Sequence, residues 1–172
     1  MKLPKKKIIH YPLSIIHYCR RQAGFTLIEL LITITIITLL FSIGMAQYNK
    51  FNRRQILVKA KDQLISDLRL AQGKSLAAEK PVGCLGILAG IKVKFTDNQS
   101  YKIVAVCSNE VNIKTDISLP TVVVKQSGPN EILFKVLNQG VEFVGGQPPI
   151  VLSLSGTTET QNIDISSVGE IK

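Results

Sequence analysis

The sequence has no tryptophan, only two histidines among its 172 residues, and only 19% charged side chains. Both histidines, His10 and His17, lie in the first 24 residues, so the rest of the chain has no imidazole for acid–base catalysis or metal binding. Glycine (12) and proline (7) are too few for a collagen-like or low-complexity chain. The low charge and the 45% hydrophobic content exclude disorder throughout.

Acidic residues are scarce at the front of the chain. Lysine and arginine number 21 against 12 acidic residues, a net charge of +9 at pH 7. Residues 1–24 hold six basic and no acidic side chains, and residues 47–80 hold eight basic and three acidic ones. Residues 81–172 hold seven lysines and eight acids. The positive charge therefore belongs to the front of the chain and does not indicate a nucleic-acid-binding domain.

The longest apolar run extends from Phe25 to Ala46 and contains one charged residue, Glu29, and no proline. As a helix, these residues would span about 33 Å, enough to cross a hydrocarbon core of about 30 Å. No polar stripe follows Glu29, whereas a surface helix of a soluble domain would show one. The sequence therefore predicts a membrane-spanning helix.

A basic segment precedes this helix and ends in Arg20-Arg21-Gln22-Ala23-Gly24. An ordinary secretory signal carries its small residues after the apolar run, but here Ala23-Gly24 comes before it. Cleavage after Gly24 would remove the leader and leave the apolar helix in the mature chain. Basic residues flank both ends of the helix in similar numbers, so the positive-inside rule does not orient it.

Glu29 is the most informative residue of the apolar run. A carboxylate in a membrane helix costs up to about 3 kcal/mol at the bilayer centre, and less near the edge, where Glu29 lies. One interpretation is a carboxylate that reaches the membrane interface. The other is an ion pair with the amine that cleavage would create at Phe25 of a neighbouring subunit, a contact that would help to fix subunit register.

The motif Gly24-Phe25-Thr26-Leu27-Ile28-Glu29-Leu30 resembles the processing site of type IV pilins and of type II secretion pseudopilins. The resemblance implies that a prepilin peptidase cleaves between Gly24 and Phe25 and N-methylates Phe25, and that Glu29 supports filament assembly. It implies a single-pass protein of the cytoplasmic (inner) membrane, with the N-terminus in the cytoplasm and the C-terminal domain outside. The expected partners are other pilin or pseudopilin subunits, the peptidase, the inner-membrane assembly platform and the lipid bilayer.

Residues 47–80 continue the helix, because they contain no proline and one glycine. Apolar or small residues recur there at three- and four-residue steps, a stripe made of Leu57, Ala60, Leu64, Leu68, Ala71 and Ser75. Pro81 and Gly83 then predict the end of the helix. Four basic residues of this segment would meet anionic headgroups, a filament neighbour or solvent: Lys50, Arg53, Arg54 and Lys59.

Residues 81–172 consist of short β-rich runs separated by turns. Ile91–Phe95 and Tyr101–Cys107 predict a hairpin around a turn at 96–100. Further strands are predicted at 121–124, 132–136, 141–144, 150–154, 161–165 and near Ile171. Such strands cannot bury both faces alone, so we expect the helical stripe to cover one face. The predicted fold is α+β, with a long N-terminal helix packed on a C-terminal antiparallel β-sheet domain.

The predicted organisation has four parts. Residues 1–24 are a leader that is removed, and residues 25–46 are the transmembrane helix and filament-core segment. Residues 47–80 are the amphipathic continuation of the helix, and residues 81–172 are the globular β-rich domain.

Cys84 and Cys107 are the only cysteines after Gly24, since Cys19 lies in the leader. In an exported domain they would form a disulfide, which contributes about 3 kcal/mol in the loop-entropy model. Two buried free thiols, or metal or redox chemistry, are the alternatives. Two thiolates without histidine make an incomplete zinc site. We therefore expect neither a metal nor a cofactor.

The resemblance extends into the C-terminal domain, through Asp67–Gln72 leading to Pro81–Cys84, and through apolar alternation near 150–155, 163–165 and 169–171. These patterns are similar to the GspH/FimT group of minor pseudopilins and minor pilins. The resemblance implies a structural subunit that enters or primes a type IV pilus or a type II secretion pseudopilus.

Three other functions compete with a filament subunit. A DNA-uptake pilin would bind DNA through its β domain, using Lys92, Lys94 and Lys102 around Tyr101. The tail at 169–172 has one lysine and one acid instead of the arginines that DNA-binding relatives would carry, so nucleic acid is not an expected partner. A membrane-anchored binding domain outside any filament is the second alternative. An enzyme is the third, and no catalytic motif selects one.

Overall fold

The computed structural model describes residues 24–172, with Ala46 described by its backbone alone. Of the predicted leader, only Gly24 lies within the described residues. The chain divides into two compact units, the first ending at Ser42 and the second running from Ile43 to Lys172.

Helix α1, Leu27–Leu76, is 50 residues long. It begins two residues after Phe25 because Thr26 caps it. The Thr26 side-chain oxygen accepts a hydrogen bond from the backbone N–H of Glu29 at 3.3 Å. The Thr26 carbonyl accepts the first intrahelical bond, from Leu30 N–H at 3.2 Å. The helix thus starts at the position that the threonine cap dictates.

Four hydroxyl side chains of the apolar run bond back to the helix. Each donates to a carbonyl three or four residues earlier, at 2.7–2.8 Å: Thr33 to Leu30, Thr35 to Ile32, Thr38 to Ile34, and Ser42 to Thr38. Because these hydroxyls find partners within the helix, they add little to the cost of placing it in hydrocarbon.

The second half of α1 packs on the β domain through the predicted stripe. All six of its residues, from Leu57 to Ser75, are buried. Charged neighbours such as Asp62 and Arg69 are exposed on other faces of the helix. The stripe therefore supplies the helical wall of the hydrophobic core.

Helix α1 ends at Leu76, four residues before the expected end at Lys80. Ala78 takes a left-handed conformation, with φ of 48°. Its N–H bonds to the Ser75 carbonyl at 3.0 Å, and the Glu79 N–H bonds to the Lys74 carbonyl at 3.0 Å. This pair of bonds is the Schellman motif, which closes a helix without proline. The helix therefore stops before Pro81 is reached.

Eight strands follow α1: β1 Gly90–Phe95, β2 Ser100–Val106, β3 Glu110–Ser118, β4 Val123–Ser127, β5 Glu131–Lys135, β6 Val141–Val144, β7 Ile150–Leu154 and β8 Thr160–Ile163. They form a five-stranded sheet of order β3-β2-β1-β5-β6 and a three-stranded sheet of order β4-β7-β8. Every pairing between neighbouring strands is antiparallel. The structure confirms the predicted α+β fold of a long helix packed on an antiparallel β domain.

The sequence did not predict strand β3, nor the division into two sheets. Strand β3 is an edge strand with mostly exposed side chains, and its register against β2 shifts twice. Its β-branched residues, Val111, Ile113 and Ile117, do alternate, and that spacing was the available signal. Polar and charged residues between them obscured it.

The smaller differences in the β domain lie at strand ends. Val136 leaves β5 and opens a short 3₁₀ turn, Val136–Asn138. The last predicted strand is reduced to a single bridge between Ile165 and Ile171. One hydrophobic core joins residues of α1 and of both sheets, among them Leu68, Ile91 and Leu152.

Candidate processing and membrane-anchoring site

The bond between Gly24 and Phe25 lies in a non-helical stretch of the chain, immediately before the Thr26 cap. Among residues 25–172, no heavy atom lies within 4 Å of where a Cβ on Gly24 would stand. The Phe25 side chain is 80% exposed. The predicted scissile bond is therefore accessible within the described residues and is not held in a helical hydrogen-bond ladder, where a peptidase could not reach it.

Glu29 occupies the third position of α1, and its spacing from Thr26 is that of a capping box. Its carboxylate lies in the first turn, where the partial positive charge of the helix N-terminus favours an anion. No basic side chain among residues 24–172 forms an ion pair with it. Sequence reasoning missed the Thr26 cap, although the Thr-x-x-Glu spacing signals it.

The apolar run forms a helix whose side chains are exposed on every face. Its large hydrophobic residues from Leu27 to Ile43 are 50–81% exposed. By length and composition α1 can cross a membrane, with a mean hydropathy of 2.3 over its most apolar window. An apolar surface without a protein partner fits a lipid environment.

The predicted basic residues that follow this run are all exposed. Lys50, Arg53, Arg54 and Lys59 lie on α1, and the Arg53 guanidinium donates a hydrogen bond to the Ser155 carbonyl at 3.2 Å. The structure therefore brings three of them, Lys50, Arg53 and Arg54, close to the turn between β7 and β8. Lys59 lies farther along the helix.

Cys84 and Cys107 form a disulfide in the structure, with Cα atoms 5.8 Å apart. Asn109 ties the same region: its side chain donates to the Gly83 carbonyl at 3.0 Å and accepts from Leu85 N–H at 2.9 Å. The segment between α1 and β1 is thus anchored to the turn that follows β2. Among residues 24–172, no three His, Cys, Asp or Glu side chains cluster closely enough to hold a metal ion.

Two of the three lysines considered for DNA binding, Lys92 and Lys94, are engaged with acids, and Lys102 is half-buried. Lys92 contacts Glu110 at 3.0 Å and Glu131 at 3.1 Å, and Lys94 contacts Glu131 at 2.9 Å. Burial alone would lower the pKa of Lys92, but the two carboxylates outweigh it and the pKa is raised. Tyr101 is 1% exposed and cannot stack on a base. The geometry of this face therefore does not favour a phosphate-binding patch.

A buried polar cluster that sequence reasoning missed joins α1 to the five-stranded sheet. Asp67 is 5% exposed. It accepts hydrogen bonds at 2.8 Å from the Tyr101 hydroxyl and the Lys114 ammonium. Burial, together with the Asp67 carboxylate, raises the pKa of Tyr101, which keeps the hydroxyl a donor. The only sequence signal was an acid beside the apolar stripe.

Lys125 is a second buried charge that the sequence did not indicate. Its ammonium donates to the Asn130 side-chain oxygen at 2.8 Å and lies 4.5 Å from the centre of the Phe95 ring. Burial lowers the pKa of Lys125. The amide oxygen and the ring face replace part of the water that the ammonium loses, so the residue stabilises the loop between β4 and β5.

A family profile described as the prokaryotic N-terminal methylation motif matches residues 19–45. The match supports the type IV pilin and pseudopilin class. It covers Gly24, Phe25 and Glu29, and most of the apolar run. Proteins of this class are structural subunits, and an apolar N-terminal helix fits their anchoring in the inner membrane. The chain matches no curated protein. It also matches no solved structure.

Proposed function

We propose that the chain is the precursor of a minor pilin or pseudopilin of the GspH/FimT group, which prepilin peptidase cleaves between Gly24 and Phe25 and methylates at Phe25. The observation that carries the proposal is the methylation motif at residues 19–45, with the Gly24–Phe25 bond accessible immediately before α1. The mature subunit acts by entering or priming a type IV pilus or a type II secretion pseudopilus, and not by catalysis.

The proposed organisation assigns each segment a step in this process. The leader, residues 1–24, stays in the cytoplasm until it is removed, and residues 25–46 hold the subunit in the inner membrane and later pack in the filament. Residues 47–80 support the β domain, residues 81–172, outside the cytoplasm. An oxidising extracytoplasmic environment allows the disulfide between Cys84 and Cys107 to form.

Glu29 is proposed to select the register of an incoming subunit. Its carboxylate lies four residues after Phe25, on a helix whose surroundings are apolar. An ammonium at the mature N-terminus of a neighbour would be strongly attracted to a carboxylate in such surroundings. Only one axial offset between two helices places the two groups together, so the ion pair would favour that offset.

Mass spectrometry of the N-terminal peptide from membranes of the native host tests the cleavage. We expect the peptide to start at Phe25 with one added methyl group. Gly24→Val should leave the precursor uncleaved, since a side chain would stand beside the scissile bond. A Cβ at Gly24 meets no heavy atom among residues 25–172 within 4 Å, so loss of cleavage would report peptidase recognition and not misfolding of the described domain.

Gly44→Val is the matched control. Gly44 lies in the same apolar run, and a Cβ there also meets no heavy atom within 4 Å. This variant should be cleaved and methylated normally. An intact Met1 terminus in wild-type cells that process other prepilins would overturn the proposal.

Glu29→Gln separates assembly from processing in the same cells. Glutamine keeps the capping-box geometry and removes the charge. We expect normal cleavage at Gly24, with the mature chain retained in the membrane and at least tenfold depleted from sheared filaments. Depletion that Glu29→Asp does not restore at all would argue against a role for the charge.

A further inference from the structure

We propose that Lys50, Arg53 and Arg54, here called the basic cluster, form a binding site for the headgroups of anionic phospholipids at the outer face of the membrane. The inference rests on the membrane helix and on the proposed orientation, with the β domain outside the cytoplasm, but requires neither cleavage nor filament assembly. It assigns a ligand class to residues whose role the filament-subunit proposal leaves open.

The basic cluster lies on one face of α1. Lys50, Arg53 and Arg54 are spaced at i, i+3 and i+4, which places their side chains next to one another on a helix. The same spacing continues to Leu57, the first residue of the buried stripe. The face that is apolar where it packs on the β domain therefore becomes cationic where that packing ends.

The β domain contributes a wall to the site. The Arg53 guanidinium donates to the Ser155 carbonyl at 3.2 Å, which orients it toward the turn between β7 and β8. A cleft of about 320 Å³ lies there, lined by Asn49, Lys50, Arg53, Leu154, Thr157 and Glu159. Two cations, an amide and a hydroxyl supply the donors that a phosphodiester needs.

A second cleft, of about 240 Å³, adjoins the other arginine. Arg54 lines it together with Leu57, Glu159, Thr160 and Gln161. Glu159 is the one acid among the residues lining the two clefts, against three basic side chains. The site thus has a net positive charge, so it can bind an anion even though Glu159 offsets part of that charge.

The position of the cluster along the helix selects a lipid over other anions. Ala46 ends the predicted membrane segment, and at 1.5 Å per residue Lys50 lies about 6 Å beyond it and Arg53 about 10 Å. The polar layer on each side of a bilayer is about 5–7 Å thick. Long basic side chains reach back into that layer, so the cluster meets headgroups before it meets any soluble anion.

Lipid quenching of a single tryptophan measures this preference directly. The chain has no tryptophan, and Tyr48 is 64% exposed two residues before Lys50. Full-length Tyr48→Trp is reconstituted in phosphatidylcholine vesicles that contain either brominated phosphatidylglycerol or brominated phosphatidylcholine. Relative quenching gives the ratio of two association constants at the helix, that of the anionic lipid divided by that of the zwitterionic lipid. We expect a ratio of about five, the effect of one basic side chain at a charged surface.

Two sets of variants locate the preference. The cluster variant should lower the ratio of association constants to about one; it combines Lys50→Gln, Arg53→Gln and Arg54→Gln. The matched control removes three charges farther along the same helix, at Lys59, Lys61 and Arg69, about 20 Å or more beyond Ala46. It should keep the wild-type ratio.

Charge-conserving substitutions within the basic cluster control for misfolding of the charge-removing variant. Lys50→Arg, Arg53→Lys and Arg54→Lys combined keep the charge and should keep the preference. A wild-type ratio of one would overturn the proposal. An equal fall in the cluster variant and in the control would also overturn it, because diffuse charge and not a site would then explain the preference. Normal cleavage at Gly24 in the cluster variant would separate this result from the proposed function.

Discussion

Ala78 occupies, at the end of α1, a backbone conformation that glycine adopts at lower cost. Its φ is 48°, and it is exposed, so no packing favours the alanine methyl group. Gly73 is the opposite case: it lies inside the helix, where a Cβ would meet open space. The two positions carry each other's preferred residue.

Exchanging these residues should stabilise the chain at both positions. Ala78→Gly removes the strain of the left-handed conformation, and Gly73→Ala restores helix propensity, each by about 0.5–1 kcal/mol. Chemical unfolding of the detergent-solubilised chain measures both. Ala77→Gly, one residue away at the helix end, is the control and should not stabilise the chain. A destabilising Ala78→Gly would contradict the Schellman assignment.

Glu131 makes the stability of the β domain depend on pH. Hydrogen bonds from Lys94 and Lys92 lower the pKa of Glu131 below its ordinary 4.5, against the opposing effect of burial. A carboxyl whose pKa is lower in the folded state stabilises it above the ordinary pKa, and this stabilisation is lost as the pH falls through the folded value. The stabilisation from Glu131 is therefore complete above about pH 4.5 and is lost at lower pH.

Glu131→Gln should lower the free energy of unfolding at pH 7 by about 1 kcal/mol. The difference from wild type should shrink below pH 4.5 and vanish once the wild-type carboxyl is protonated. Glu142→Gln is the control, because Glu142 and Lys135 pair at 3.2 Å with side chains 53% and 41% exposed. It should change stability by less than about 0.5 kcal/mol. A difference that does not shrink as the pH falls below 4.5 would contradict the assignment.

At the scale of elements, α1 and the five-stranded sheet are joined by apolar packing and by buried polar contacts at Ser75 and Asp67, which fix their register. Burial of the stripe supplies most of the free energy, because it is roughly proportional to the apolar area removed from water. Apolar burial alone would allow α1 to slide along the sheet. Asp67, held by Tyr101 and Lys114, is satisfied in one position only.

Asp67→Ala should lower the free energy of unfolding by about 3 kcal/mol. The substitution leaves the buried Tyr101 hydroxyl without an acceptor and removes the carboxylate that pairs with Lys114. Asp62→Ala, an exposed acid on the same helix, is the matched control and should cost less than about 0.5 kcal/mol. Equal losses at the two positions, measured by denaturant unfolding, would show that Asp67 does not join the helix to the sheet.

At the scale of the whole molecule, the connection from α1 to the sheet is restrained at its beginning and near its middle. The Schellman motif fixes its beginning, and Cys84 fixes its middle to the strand that precedes Cys107. Val82, Leu85 and Ile87 project from it, 65–99% exposed. Because the segment is restrained, it has less conformational entropy than a flexible loop of the same length.

The disulfide should be present in the protein isolated from its host. Peptide mapping without reductant should recover Cys84 and Cys107 in one cross-linked species, two hydrogens lighter than the free peptides. Replacing both by serine should lower the free energy of unfolding by about 3 kcal/mol. Cys19→Ser is the control and should leave stability unchanged, because Cys19 lies in the proposed leader. Two free thiols in non-reduced material would contradict the prediction.

Patterns local to the chain were readable because the physics behind them is local. The 3.6-residue spacing of the stripe predicted the buried face of α1, and alternation predicted the β1–β2 hairpin. The methylation motif lies in one contiguous stretch, so its match could be expected from the same residues that suggested cleavage at Gly24. The roles of Gly24, Phe25 and Glu29 remain predictions, since they concern other proteins.

The features that the sequence did not reveal depend on distant partners. In the sequence, Asp67 looks like an ordinary surface charge on a helix. Its role appears only in the folded chain, where Tyr101 and Lys114 hydrogen-bond to it. Strand β3 is stabilised as an edge by β2, and its own polar composition gives little sign of it.

The sequence by itself determined the apolar run, the basic segment before it, the methylation motif and the helix–sheet class, because each follows from the order of residues along the chain. Only the tertiary structure decided where α1 ends and how eight strands divide into two sheets. It also decided that Lys50, Arg53 and Arg54 line clefts beside the β7–β8 turn, while Lys92 and Lys94 pair with acids. The reason is physical. Charge pairing and sheet membership depend on distances between residues far apart in the chain, and folding alone sets those distances.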